Sequence, residues 1–296
     1  MAPPINIPAT ACRLCGSATT YLGAKAGRIN QRDFHFYRCL HCQFAFVADP
    51  WRDYKAVYSE DYYRGLGADP YVNFVFEAKH PATTIRVYEW RGILQCIRSL
   101  VPLHANSRWL DFGCGQGGLL QYSNSHVPAH YFGFEEGWID NQVATTGFTL
   151  IRRPDLLSAA GPFDVITAIE VFEHIENPRE TLALLRTLLK KDGLLFVTTG
   201  NPQPHWRHFL NWEYANPEVH ISYFIPALLA RLFAETGFRP EFRASLPGYS
   251  NILRYKVLKR LRVKEQQLWE KALPWSVITR AIDQRLKLSR QPIAWG

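Results

Sequence analysis

Apolar and polar positions follow two rhythms along this chain. From Thr83 to Val101, the apolar residues Ile85, Tyr88, Ile93, Ile97 and Leu100 recur at helical spacing, which sets one apolar stripe on a helix. Short apolar runs then follow at intervals: Trp109–Phe112, Tyr131–Glu135, Phe148–Ile151, Phe163–Ile169 and Leu194–Thr199. Each has the length and continuity of a strand buried on both faces. Between the last two, Thr181–Leu189 returns to helical spacing, and Ala227–Thr236 does so again before Gly237 stops it. Phe238–Arg243 reads as a sixth strand and Pro292–Trp295 as a short edge strand. Strands alternating with helices at these lengths predict an α/β fold with a doubly wound parallel sheet. Leu253–Lys287 reads as two basic amphipathic helices interrupted at Pro274, an insertion over about 249–290.

Composition adds a compartment and an uneven charge. The 296 residues are 47% hydrophobic, ample for a buried core. No apolar run approaches the length of a membrane span, and the N-terminus, with prolines at 3, 4 and 8, lacks a signal-peptide core. Of the six cysteines, four stand in paired C-x-x-C knuckles. That usage favours a reducing compartment and metal over disulfides, so a cytoplasmic protein is expected. The formal net charge is +8, and the excess of Lys and Arg falls entirely within residues 241–296. Basic helices of this kind can meet membranes, nucleic acid or acidic partners, but more often pack one face and solvate the other.

The stretch W-L-D-F-G-C-G-Q-G-G, Trp109 to Gly118, reads as a strand breaking into a glycine turn that opens a helix. Such a turn, with Gly113, Cys114, Gly115 and Gly117 in it, lets backbone amides approach a ligand closely. Asp111 sharpens the reading. A carboxylate at the strand tip would repel a pyrophosphate but suits a positively charged group, such as the amino group of S-adenosylmethionine (SAM). At the end of the next strand, G-F-E-E-G supplies Glu135 at the place where an acid meets a ribose diol, Glu136 lying already in the turn. Here residues 80–245 resemble the class I SAM-dependent methyltransferases. The resemblance implies a Rossmann-like, seven-stranded sheet, with Asp155 after the third strand and Glu170 after the fourth also facing the cofactor. As a lone Asp in a loop, Asp155 can equally be solvated.

Cys12-Arg-Leu-Cys15 and Cys39-Leu-His-Cys42 lie 23 residues apart, with strand-like runs at Phe34–Arg38 and Phe44–Val47. Two knuckles at this spacing place four thiolates around one structural Zn²⁺. A piece of some 45 residues buries little core, so the metal is expected to hold it folded. The chain is thus read as a zinc ribbon (1–50), an aromatic linker or cap (51–79) and a cofactor domain (80–296). The ribbon resembles the module preceding the SAM fold in sugar C-methyltransferases, which carry a further C-terminal domain not found in these residues. In the cap, Tyr62 and Tyr63 are substrate-side candidates, although packing explains most of its aromatics.

The candidate chemistry follows the fourth strand, as Glu170-Val-Phe-Glu173-His174, with His220 arriving after the fifth. One helical turn would converge Glu170, Glu173 and His174. Two carboxylates and two imidazoles suit a divalent cation such as Mg²⁺. E-x-x-E-H followed by a later His resembles the metal site of small-RNA 2′-O-methyltransferases, and E-x-x-E-H alone resembles the ubiquinone-pathway O-methyltransferases. Without metal, His174 or His220 would serve as base or substrate contact, assisted by Glu173. Equally, Glu173 and His174 can simply cap the turn. The aromatic loop between Asn201 and His220 is the expected acceptor wall. The motif of base N-methyltransferases, N-P-P-Y, is absent after the fourth strand. The reading is therefore O-methylation of a saccharide or phenolic small molecule. Nucleotide-sugar C-methylation, RNA 2′-O-methylation and a non-catalytic scaffold are its rivals, and the oligomeric state is left open.

Overall fold

The computed structural model describes residues 10–70, 72–140, 147–243 and 246–260, with 273–275, 277, 278 and 281. Nine strands form two sheets among these residues. The first sheet is antiparallel, built from β1 (Thr19–Ala26), β2 (Asp33–Cys39), β3 (Ala45–Val47) and the two-residue β9 (Ser222–Tyr223). The second is parallel and contains β4 (Arg108–Phe112), β5 (His130–Phe134), β6 (Thr149–Ile151), β7 (Phe163–Ile169) and β8 (Leu189–Thr198). Its order is β6-β5-β4-β7-β8, so the chain reverses direction across the sheet between β4 and β7.

The parallel sheet is doubly wound because its strands carry apolar residues on both faces. On one face Leu110, Ile166 and Ala168 meet Leu182 and Leu185 of the helix Pro178–Leu188 and Leu228 and Leu232 of the helix Pro226–Glu235. On the other, Trp109, Tyr131 and Val165 meet Ile93 and Ile97 of the helix Arg86–Leu100. Both Pro178 and Pro226 sit at the first turn of their helices, where a missing N–H costs nothing. The expected first five strands are therefore present, within a few residues of their sequence bounds. The ladder part of β8 is Leu194–Thr198. Leu189 pairs separately with Phe163, and the chain bulges out between them.

Among the described residues the parallel sheet has five strands, not the expected seven. Residues 238–243 carry no strand; Pro240 lacks the N–H a ladder requires, and Phe242 is left exposed. Pro292–Trp295 lies outside the described residues, as does most of Leu253–Lys287. The described part, the helix Tyr249–Arg260, buries Ile252 and Leu258, and Leu246 just before it packs on Ile93 and Ile97. That much of the basic segment packs against the domain.

The cysteine-bearing segment shares its core with the parallel sheet. Phe44 and Phe46 are fully buried and stack on each other at 5.5 Å, and Phe44 meets Phe224 at 5.2 Å. Phe224 in turn touches Phe172, at the end of β7. Because this cluster is continuous, Phe44→Ala should cost about 3–5 kcal/mol and lower the melting of the whole chain in one cooperative transition. Scanning calorimetry resolving a separate, early transition for the N-terminal sheet would contradict the shared core.

Candidate functional site

A cleft of about 1440 Å³ opens beyond the carboxyl ends of β4, β5 and β7, at the point where the strand order reverses. This is where ligands sit in open parallel sheets. One end is formed by the glycine turn. Gly113, Gly115 and Gly117 all have positive φ (77°, 51° and 74°), which admits glycine at little cost. A Cβ at Gly115 would meet nothing within 4 Å, so the turn faces open space there. Gly117 points the other way: a Cβ would strike Phe148, and the residue instead starts the helix Gly118–Asn124.

The two acids at this end are held differently. Glu135 accepts from the Gly115 amide at 2.9 Å and the Gly137 amide at 2.8 Å, and Tyr63 of the cap also hydrogen-bonds it. Asp111 is buried and accepts from the Thr167 hydroxyl at 2.6 Å. Burial raises its pKa to about 7, Glu135 adding to the rise and Thr167 opposing it. A buried carboxylate of this kind gains most from a cationic partner. Gln116 closes the adjoining loop, donating to the Trp138 carbonyl and accepting from the Asp140 amide.

The other end centres on the short 3-10 turn Phe172–His174. Glu173 is fully buried; its Oε1 accepts from the Tyr214 hydroxyl at 2.6 Å and its Oε2 from Thr199 at 2.6 Å. His174 Nδ1 lies 2.8 Å from the Val219 carbonyl, and His220 Nδ1 lies 2.6 Å from the Tyr214 carbonyl. A carbonyl only accepts, so both Nδ1 atoms carry a proton, and in the neutral imidazole this leaves the lone pair on Nε2. One donor atom from each of Glu173, His174 and His220 falls within 4.8 Å of the others. Burial, with His174 beside it, holds the His220 pKa at about 3. Tyr58 of the cap places its hydroxyl 3.0 Å from His174 Nδ1.

A sequence profile described as a methyltransferase domain matches residues 86–241. The chain belongs to this methyltransferase family. It is a class I SAM-dependent methyltransferase. It is similar to the ubiquinone biosynthesis O-methyltransferase of Aeromonas salmonicida, 23% identical over 58% of this chain and 84% of that protein. The protein of that name from Marinobacter nauticus is 34% identical over 34% of this chain, but the match spans only 47% of its own length. Among solved structures, the cyclopropane synthase MmaA2 from Mycobacterium tuberculosis is 19% identical with a TM-score of 0.44, over 69% of this chain and 79% of that one.

In this methyltransferase the cofactor end fits SAM on its own geometry. Gly115 leaves room beside its backbone, Glu135 is fixed by two amides, and Asp111 is a buried carboxyl that a cationic group would stabilise. Asp155 stands apart from the cleft, exposed and paired with Arg153. At the other end three of the four expected donors converge rather than all four. Glu170 has φ 53° at the end of β7 and lies outside the 3-10 turn, so no single helical turn joins it to His174. It reaches the cluster through Tyr214, whose hydroxyl lies 2.8 Å from Glu170 Oε2. The Glu170 Oε1 is buried without a partner, and burial together with Glu173 pushes the carboxyl well above its usual range. Most of the aromatic loop turns away: Trp206, Phe209 and Trp212 pack on the antiparallel sheet, leaving Glu213, Tyr214, Asn216 and His220 in the cleft wall. Tyr58 and Tyr214 were not singled out in the sequence, because their roles depend on contacts 116 and 41 residues away.

The four cysteines form a second cluster, far from the cleft lining. Cys12 Sγ lies 3.6 Å from Cys42 Sγ and Cys15 Sγ 3.5 Å from Cys39 Sγ, all four within 4.8 Å. A tetrahedral Zn²⁺ with about 2.3 Å bonds separates its sulfurs by about 3.8 Å. The amides of His41 and Cys42 point at Cys39 Sγ, as expected for a thiolate acceptor.

Two outcomes follow. Gly115→Arg should fill the cleft beside the turn and abolish binding of S-adenosylhomocysteine (SAH) in calorimetry; undiminished binding would place the cofactor elsewhere. As pH falls from about 6.5 towards 3, the unfolded His220 gains a proton that the native imidazole refuses, so native stability is lost across that window. His220→Asn, which keeps a donor for the Tyr214 carbonyl, should make the fall of Tm over this range shallower.

Proposed function

We propose that this methyltransferase transfers a methyl group from SAM to a hydroxyl oxygen of a small molecule, sugar-like or phenolic, bearing adjacent hydroxyls. The observation that carries this reading is the convergence of Glu173, His174 and His220 within 4.8 Å, each imidazole held at Nδ1 by a backbone carbonyl. Asp111 would hold the amino group of the cofactor and Glu135 its ribose, with the turn Gly113–Gly117 against its backbone. When bound, SAM supplies an electrophilic methyl group, and the in-line displacement then needs an oxygen held at attack distance. Tyr58, Tyr62 and Tyr63 line the cleft between the two ends and would bracket a ring.

The donor set of Glu173, His174 and His220 fits Mg²⁺ or a similar divalent cation. Each imidazole has its second nitrogen fixed by a carbonyl, the arrangement typical of metal-ligating histidine. Such a cation would supply Lewis acidity towards a hydroxyl. In its absence His174 Nε2, the more accessible of the two, would accept the hydroxyl proton, since burial leaves His220 too weak a base for that step. Zn²⁺ in the four-cysteine cluster would be structural. Among the described residues no helix is long and apolar enough to cross a membrane.

The test is titration of the purified chain with SAH, with and without Mg²⁺ or Mn²⁺, after quantifying retained zinc. Micromolar SAH binding with one zinc is expected, together with a divalent site lost in His174→Ala and His220→Ala. Absence of SAH binding under every condition would overturn the enzymatic reading. SAH binding without a divalent site would remove the cation from this reading and leave His174 as its base.

A further inference from the structure

The antiparallel sheet does more than sit beside the cleft. Ile221, next to His220, donates its amide to the Glu173 carbonyl at 2.7 Å. Its own carbonyl accepts from the Val47 amide of β3 at 3.1 Å and from Arg13 Nη2 at 3.0 Å. One residue thus joins the catalytic turn to the cysteine-bearing sheet. Two positions earlier, Val219 provides the carbonyl that fixes the His174 tautomer. Geometry at all three members of the cluster therefore depends on where residues 219–221 are held.

What holds them comes from residues 13–47. Arg13 lies inside the first knuckle, between Cys12 and Cys15, and its guanidinium stacks over Phe46 at 4.9 Å. Glu218 is buried, and its carboxylate accepts from the backbone amides of Arg28, Ile29 and Asn30 at 2.8–3.1 Å, at the tip of the β1–β2 hairpin. Lys25 donates to the Ala215 carbonyl, and β3 pairs with β9 through Ala45 and Phe46. A carboxylate satisfied by three amides, rather than by a cation, is a directional clamp: moving the hairpin moves Glu218.

We infer that the four-cysteine sheet is the mount for the Glu173, His174 and His220 cluster, and that Arg13 and Glu218 are its positioning residues. This rests on the reading of that cluster given above. Neither residue lines the cleft. Each fixes the segment that sets the His174 tautomer, carries His220 and holds the Glu173 backbone, where small displacements cost much catalytic efficiency.

The experiment uses the full chain with its zinc retained, comparing the unaltered protein with Arg13→Ala, Arg13→Lys and Glu218→Gln. Long-range ¹H–¹⁵N spectra of the imidazoles at neutral pH should show His174 and His220 as Nδ1–H tautomers in the unaltered protein. Arg13→Ala and Glu218→Gln should show mixed tautomers, and their Mn²⁺ affinity should fall at least tenfold, with Arg13→Lys recovering part of both. Retained zinc and SAH affinity should change less than twofold. If Arg13→Ala fails to keep zinc, Glu218→Gln, which lies outside both knuckles, decides alone. Unaltered tautomers in Glu218→Gln would overturn the mount. If the unaltered protein binds no Mn²⁺, the cation reading fails instead, and the tautomers alone judge the mount.

Discussion

The cluster of Glu173, His174 and His220 is tied to the backbone of residues 219–221. This short segment spends the Val219 carbonyl on His174 and the Ile221 amide on Glu173, and it carries His220 between them. The Ile221 carbonyl then anchors the segment to the N-terminal sheet through Val47 and Arg13. Backbone groups buried in this way must be paired, and here every pairing also sets the direction of a functional side chain. The two sheets are consequently one packed body around Phe44, Phe172 and Phe224.

A single electrostatic cause runs through the cleft. Desolvation is the largest influence on Asp111, Glu170 and His220, and in each it favours the neutral form. The Tyr214 hydroxyl has only one proton to offer two carboxylates, Glu170 and Glu173, while itself accepting from the Gly200 amide. Glu170, whose carboxyl burial and Glu173 push well above its usual range, resolves the count by keeping its own proton. A cationic group beside Asp111 would meet a carboxyl that gains from ionising.

Much of this was legible in the sequence. The alternation of apolar strands with helices gave the five parallel strands, because period and length are local properties. The glycine turn, Asp111 and Glu135 were readable for the same reason: a turn needing positive φ leaves glycines in the sequence, and the acids sit at strand ends. The cysteine knuckles were equally plain. The sixth strand was misread at Phe238–Arg243, where Pro240 overrides an otherwise apolar pattern. Asp155 was placed by analogy, and its pairing with Arg153 has no signature in spacing.

The residue types at the site were thus determined locally, while their arrangement was not. The sequence by itself determined that Glu170, Glu173, His174 and His220 exist, that they follow particular strands, and that the first three are neighbours. Only the tertiary structure decided that Glu170 stands aside in a left-handed conformation while His220, 46 positions beyond His174, closes the cluster. Likewise, nothing in the first 50 residues announces that β3 pairs with Ser222 and Tyr223 or that hairpin amides receive Glu218. Hydrogen bonds to backbone carbonyls and amides ask for no particular residue type at the acceptor, so they leave no pattern in the chain to read.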